Sequence, residues 1–198
     1  MAPPSFDSPP PPAEFASREL PVETIPAGSR LSRIHLRVFD PLHFGAAEYN
    51  RFDDRRRLFG VCYLAMTIEG AFAETFLRTV NSRIIFQEFM QERSLSALEA
   101  IAPLRLSSLH GPGLARVGAT SAVASGSHSV AQLWSQVIHD HPAAPDGIAY
   151  RSKHDDDEIC IALFDRARDR IVPAGIPHPM ENLYGLAELF ALYDIGLE

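Results

Sequence analysis

Apolar and polar positions along this chain fall into short blocks, each with its own period. SRLSRIHLRVF, Ser29 to Phe39, alternates apolar residues with arginines and predicts a strand. Asp40-Pro41 closes it, because the residue before proline is pushed out of helical geometry and proline brings no ladder donor. LFGVCYLAM (58–66) predicts a buried strand with Val61, Tyr63 and Ala65 on one face and Cys62, Leu64 and Met66 on the other. Thr67 is placed to cap a helix over 68–78, whose stripe is Ile68, Ala71, Phe72, Thr75 and Phe76. Glu74 lies inside that helix but off its stripe.

Further along, IIFQEFMQE reads as a short helix around 83–93 and PLRLSSL (103–109) as a strand. SVAQLWSQVIH (129–139) repeats apolar residues at three and four, and the prolines and glycine of HPAAPDG end it. IAYRS (148–152) and EICIALF (158–164) read as two strands joined by the acidic loop KHDDDE, and a last helix is expected over 181–193. Strands and helices interleave without a regular strand-helix repeat, which favours an α+β sheet over a doubly wound one.

Residues 1–27 break the pattern: they hold half of the 16 prolines and few large apolar side chains. Such a stretch buries too little surface to offset the entropy of ordering. It is expected to be a Pro-rich flexible arm, dispensable for chemistry, ahead of one catalytic domain over 28–198. A chain of 198 residues with 46% hydrophobic content has core enough for one domain and little room for two.

Charge and cysteines narrow the class. A net charge of −7 argues against direct nucleic-acid binding, which draws on a broad Lys and Arg surface, although a local basic pocket stays compatible with it. Cys62 and Cys160 each sit in an apolar run and read as reduced core residues. No apolar run approaches the ~20 residues of a membrane span, and no charged start leads into an apolar signal core. A cytoplasmic protein with no membrane association is expected.

Nucleotide-binding fingerprints are absent, and GPG at 111–113 reads as a turn. Neither the His139/His141 pair nor KHDDDE has the spacing of a zinc or calcium site, so the acidic run is expected to be a solvated turn and no metal is assigned. Ser125-Gly126-Ser127 lacks the context of a nucleophile elbow. What remains is Arg33, Arg51, Tyr63, Glu74 and Ser152. Each has an ordinary structural explanation: Glu74 can pair with Arg78 at i,i+4, Tyr63 can be a core aromatic, and Arg33 can guard a sheet edge.

SRIHLRVFDPLHFG, NRFDD, YLAMTIEGAFAETF and DGIAYRS…ICIALFDR, in that order from Ser29 to Arg166, resemble the RES domain family, named for its Arg, Glu and Ser. The resemblance places the family's first arginine at Arg33, with Arg30 and Arg37 close by, the arginine of its second motif at Arg51, the strand tyrosine at Tyr63, the helix glutamate at Glu74 and the serine at Ser152. Asn50 stands where the family usually has glycine, and asparagine tolerates left-handed backbone geometry.

This resemblance implies a single α+β domain with a mixed, split sheet, similar to ADP-ribosyltransferases. It implies cleavage of the nicotinamide–ribose bond of NAD by water or phosphate, NAD being a substrate and no prosthetic group being held. It also implies the toxin half of a bacterial toxin–antitoxin pair, with a separately encoded helix-turn-helix antitoxin as partner and homo-oligomerisation left open. Two alternatives are an ADP-ribosyltransferase that modifies a protein and a non-catalytic interaction module.

The residue types suit that chemistry. Nicotinamide leaves as a neutral molecule, so one carboxylate beside the ribose is enough to stabilise the developing oxocarbenium charge, a role for Glu74. Arg33 and Arg51 offer bidentate forks to the pyrophosphate, Tyr63 a face for nicotinamide, and Ser152 a donor to phosphate or ribose.

Overall fold

The computed structural model describes residues 7–79 and 83–198. In chain order its elements are β1 (Val22–Ile25), β2 (Arg30–Leu36), β3 (Val61–Ala65), α1 (Ile68–Phe76), β4 (Ile84–Ile85), α2 (Gln87–Gln91), β5 (Arg93–Ala100), β6 (Leu104–Leu109), α3 (Pro112–Val117), α4 (Ala122–Ser125), α5 (His128–His139), β7 (Gly147–Arg151), β8 (Ile159–Phe164), β9 (Ile171–Pro173), β10 (His178–Pro179), α6 (Leu186–Tyr193) and β11 (Gly196–Leu197).

Nine of the strands form one mixed sheet in the order β1-β6-β7-β8-β3-β2-β5-β10, with β9 also on β5 and only β6–β7 parallel. This is the split α+β sheet expected from the sequence. Along β2 and β5 seven residues are in register, whereas β2 and β3 share one registered pair, Ser32 with Ala65. Beyond that pair the two strands part and the sheet opens.

The chain's own pattern explains which face each strand presents. Val61, Ala65, Ile148, Tyr150, Ala162 and Phe164 pack with Phe52, Trp134 and Ile138 under α5. Cys62, Leu64, Ile161 and Leu163 point the other way, onto Leu31, Leu98, Leu104 and Leu106. A third cluster joins Phe72 of α1 to Ile85, Met90, Leu95, Met180 and Leu189. Thr67 caps α1 as expected, its hydroxyl accepting from Gly70 N at 2.9 Å. Gly70 is a close-approach position, since a Cβ there would lie 2.9 Å from Glu158 Oε2 and 3.1 Å from Ala65 Cβ.

Four expectations need correction. Residues 7–27 are not a flexible arm: β1 pairs with β6, Phe15 is buried against Trp134 and His141, and Leu20 joins the same cluster. Proline-rich composition hides this, because the segment is held by two apolar anchors, Phe15 worth about 1.5–3 kcal/mol by burial, and by single hydrogen bonds rather than by a periodic face. The first six residues lie outside the described set.

Over 83–93, the expected helix is β4 followed by the one-turn α2, and β5 follows directly. Gly111 (φ 49°) starts α3, with Pro112 in its first turn, where the missing N–H costs nothing, so GPG opens a helix. The acidic run is partly tied down, Tyr193 Oη donating to Asp155 Oδ2 at 2.8 Å.

Candidate functional site

Where β2 and β3 part, a cleft of about 220 Å³ opens. Ser32, Arg33 and Ile34 line it from β2, Tyr63, Leu64 and Ala65 from β3, and Tyr150 from β7. Ala71, Glu74, Thr75 and Arg78 cover it from the α1 side, and Tyr49, Asn50, Arg51, Ala124, His128, Lys153 and His154 complete its rim. Of the five residues singled out in the sequence, four line this cleft and Ser152 lies directly behind it.

Glu74 is half-buried, and Ser152 Oγ donates to its Oε1 at 2.6 Å. Ser152 is itself 2% exposed and accepts from His154 N at 3.1 Å, so the serine acts as a relay that orients the carboxylate. It is set back from the cleft lining, behind Glu74. Arg78 Nε donates to the Glu74 backbone carbonyl at 2.7 Å, and among the described residues no Glu74–Arg78 side-chain ion pair occurs. The surface-pair explanation of Glu74 therefore has no geometry behind it.

Tyr63 presents its ring to the cleft and commits its hydroxyl behind it. That hydroxyl donates to Asp53 Oδ1 and accepts from Phe52 N, both at 2.9 Å. Burial, with the Asp53 carboxylate alongside, pushes the Tyr63 hydroxyl well above the ordinary tyrosine range. Asp53, 1% exposed, also takes the backbone and side-chain N–H groups of Asn50 at 2.9 and 3.1 Å. Asn50 thus closes the turn through its amide; the left-handed residues in the loop between β2 and β3 are Glu48 (φ 65°) and Arg57 (φ 56°). Gln132 Nε2 donates to the carbonyls of Glu48 and Asn50, fixing the loop to α5.

Held this way, Arg51 reaches the cleft with Nη1 bonded to Gly126 O at 2.7 Å. Arg33 also lines the cleft, but its Nη1 meets Pro41 O at 2.7 Å, His43 O at 2.9 Å and Cys62 Sγ at 2.8 Å. This guanidinium fastens the loop after β2 to β3. Arg37 turns away to Glu181 and Arg93 O, and Arg30 sits opposite Glu99 in the β2–β5 register, so neither lines the cleft.

The resulting field is local and positive. Arg33, Arg51, Arg78 and Lys153 face one carboxylate, Glu74, on a chain whose sum is −7. Burial holds the imidazoles of His154 and His128 below their ordinary value, favouring the neutral ring, with Glu74 pulling His154 the other way. Burial also lowers the Arg51 value, with Tyr150 and Glu74 opposing, and a guanidinium keeps its proton all the same.

Sequence reasoning passed over Asp53, Tyr150, Lys153 and His154. NRFDD did carry a signal for Asp53, since a carboxylate three residues after Asn50 is spaced to reach back to the Asn50 N–H, as the acidic residue of a capping box does. The His139/His141 pair is spent on structure, His139 Nδ1 facing Asp140 Oδ1 at 2.8 Å and His141 Nε2 facing Arg18 O at 3.1 Å.

Comparison with known proteins identifies the fold and the family. A toxin–antitoxin complex of M. tuberculosis, MbcT–MbcA, superposes with a TM-score of 0.60 at 16% identity, over 86% of this chain and 90% of that one, and shares the fold. A probable toxin, y4kH of Sinorhizobium fredii, is 36% identical over 83 residues, which span 41% of this chain and 65% of that protein's length. The RES domain model matches residues 30–182, from the first residue of β2 to the turn before α6 and across every cleft residue named above. The chain therefore belongs to the RES domain family.

Proposed function

We propose that this protein consumes NAD by cleaving the bond between nicotinamide and ribose, as an NAD glycohydrolase or phosphorylase. The observation that carries the reading is one oriented carboxylate, Glu74, in a cleft whose other charged side chains are all cationic. A dinucleotide needs this pairing: a fixed positive field for its pyrophosphate and one negative charge for the ribose as it becomes oxocarbenium-like. At about 220 Å³ the cleft is smaller than the ~300–1,000 Å³ of pockets that enclose a drug-sized ligand, so it takes the nicotinamide–ribose end and leaves the remainder along the open rim.

In this reading nicotinamide lies against Tyr63, and Arg51 holds the pyrophosphate. Arg33 adds its charge and stiffens the wall, and Arg78 and Lys153 extend the field toward the mouth. The C–N bonding pair leaves with nicotinamide, which becomes neutral without an acid. An oxygen of water or phosphate then bonds to the ribose carbon, and Glu74 steers that nucleophile and accepts the proton water releases.

The likeness to one probable toxin and to the fold seen in a toxin–antitoxin complex supports the toxin half of a toxin–antitoxin pair; its proposed antitoxin is a separately encoded helix-turn-helix protein that covers the cleft. The site of action is cytoplasmic, where NAD is available; no helix among the described residues is long and apolar enough to cross a membrane.

Purified protein incubated with NAD, with and without phosphate, tests this. Free nicotinamide together with ADP-ribose or its 1″-phosphate is expected. Intact NAD after hours with micromolar protein overturns the reading, and ADP-ribose covalently attached to a protein moves it to transfer.

A further inference from the structure

The segment ahead of β1 touches the cleft's far wall at one charged residue. Asp7 Oδ1 accepts from Ser127 N at 2.6 Å, at the start of α5, where the helix dipole favours a carboxylate. Gly126 lies against the same oxygen, since a Cβ at 126 would collide with it. Gly126 O is in turn the acceptor that holds Arg51 Nη1 at 2.7 Å. Nearby, Thr120 N donates to Ser8 Oγ at 3.1 Å and Trp134 Nε1 to Pro9 O at 2.9 Å, so 7–9 run as a strap along α4 and the first turns of α5.

We infer that Asp7 is a positioning residue for the cleft: by fixing Ser127 and admitting Gly126, it holds the carbonyl that aims Arg51. The substrate role of Arg51 rests on the NAD-cleaving reading; the strap itself does not. Nothing in the proline-rich stretch suggests this, because the partner lies 120 residues away.

Two variants approach the contact from opposite sides. Asp7→Ala removes the acceptor. Ser127→Pro removes the donor at a φ of −67° that proline adopts without strain. Both are expected to raise KM for NAD about tenfold with kcat within about twofold, whereas Asp7→Asn, which keeps Oδ1, stays within about threefold of the parent. The independent readout is side-chain NMR of Arg51, whose guanidinium signals are expected to broaden or average in the Ala and Pro variants but not in Asn. Unchanged Arg51 signals in both variants overturn the inference, as does an equal loss of kcat in all three. Should the parent protein leave NAD intact, the functional reading falls, and the NMR comparison still decides the role of Asp7.

Discussion

Glu74→Gln isolates charge from shape at the centre of the cleft. Glutamine keeps an Oε1 to accept from Ser152, and the carbonyl that Arg78 holds belongs to the backbone, so both contacts survive the change. With no side-chain ion pair to lose at this half-buried position, stability is expected to shift by less than about 1 kcal/mol. What disappears is the negative charge facing the ribose, and an amide takes its place among four cations. Removing one electrostatic contact of this kind typically costs on the order of 3 kcal/mol of transition-state stabilisation, about a hundredfold or more in rate. The assay is NAD turnover and thermal melting on the same sample. A folded Glu74→Gln protein with turnover within about threefold of the parent would falsify the catalytic role.

Arg51→Lys keeps the charge but loses the planar fork and the geometry that satisfies Gly126 O, so KM for NAD should rise with kcat nearly unchanged; unaltered affinity by calorimetry removes Arg51 from the binding set. Tyr63→Phe leaves the buried Asp53 carboxylate and Phe52 N–H without their shared partner, an expected loss of about 1–3 kcal/mol in denaturant unfolding; an unchanged midpoint contradicts the tether. Stability should fall as the solution is acidified: burial depresses His35, His128, His139 and His154, so as pH drops through the ordinary value of 6.5 the unfolded chain takes up protons before the folded one does. The stabilisation is full above that value and lost between it and the folded values. Urea midpoints that rise on acidification across this window reverse the sign and refute it.

Some of this architecture could be read directly from sequence periods. Strands β3, β7 and β8 read as short, nearly continuous apolar runs because both of their faces are buried, helices α1 and α5 have one clear buried face each, and Glu74 stood out because it broke the stripe of α1. β5 did not stand out: Ser94, Leu95, Ser96 and Leu98 are buried on both faces, and Ser96 Oγ faces His35 Nε2 at 2.9 Å, so no two-residue alternation appears in SLSALEA. The site was legible in residue type and less so in role. Ser152, Asp53 and Arg33 act through partners 78, 10 and 29 residues away, and whether a serine meets a ligand or a carboxylate depends on which strand end lies beside it.

The single registered pair between β2 and β3 has a consequence for how the domain comes apart. A nine-stranded sheet stitched by one registered pair at Ser32 and Ala65 is, mechanically, two smaller sheets sharing a seam, joined there less by backbone ladder than by side chains such as Leu31 and Leu98 against Cys62 and Leu64. Whatever fills the seam touches both sides at once and fastens them. Amide hydrogen exchange should therefore separate into two cooperative units in the empty protein, and a bound ligand should slow the β2–β5 unit out of proportion to the few residues it contacts.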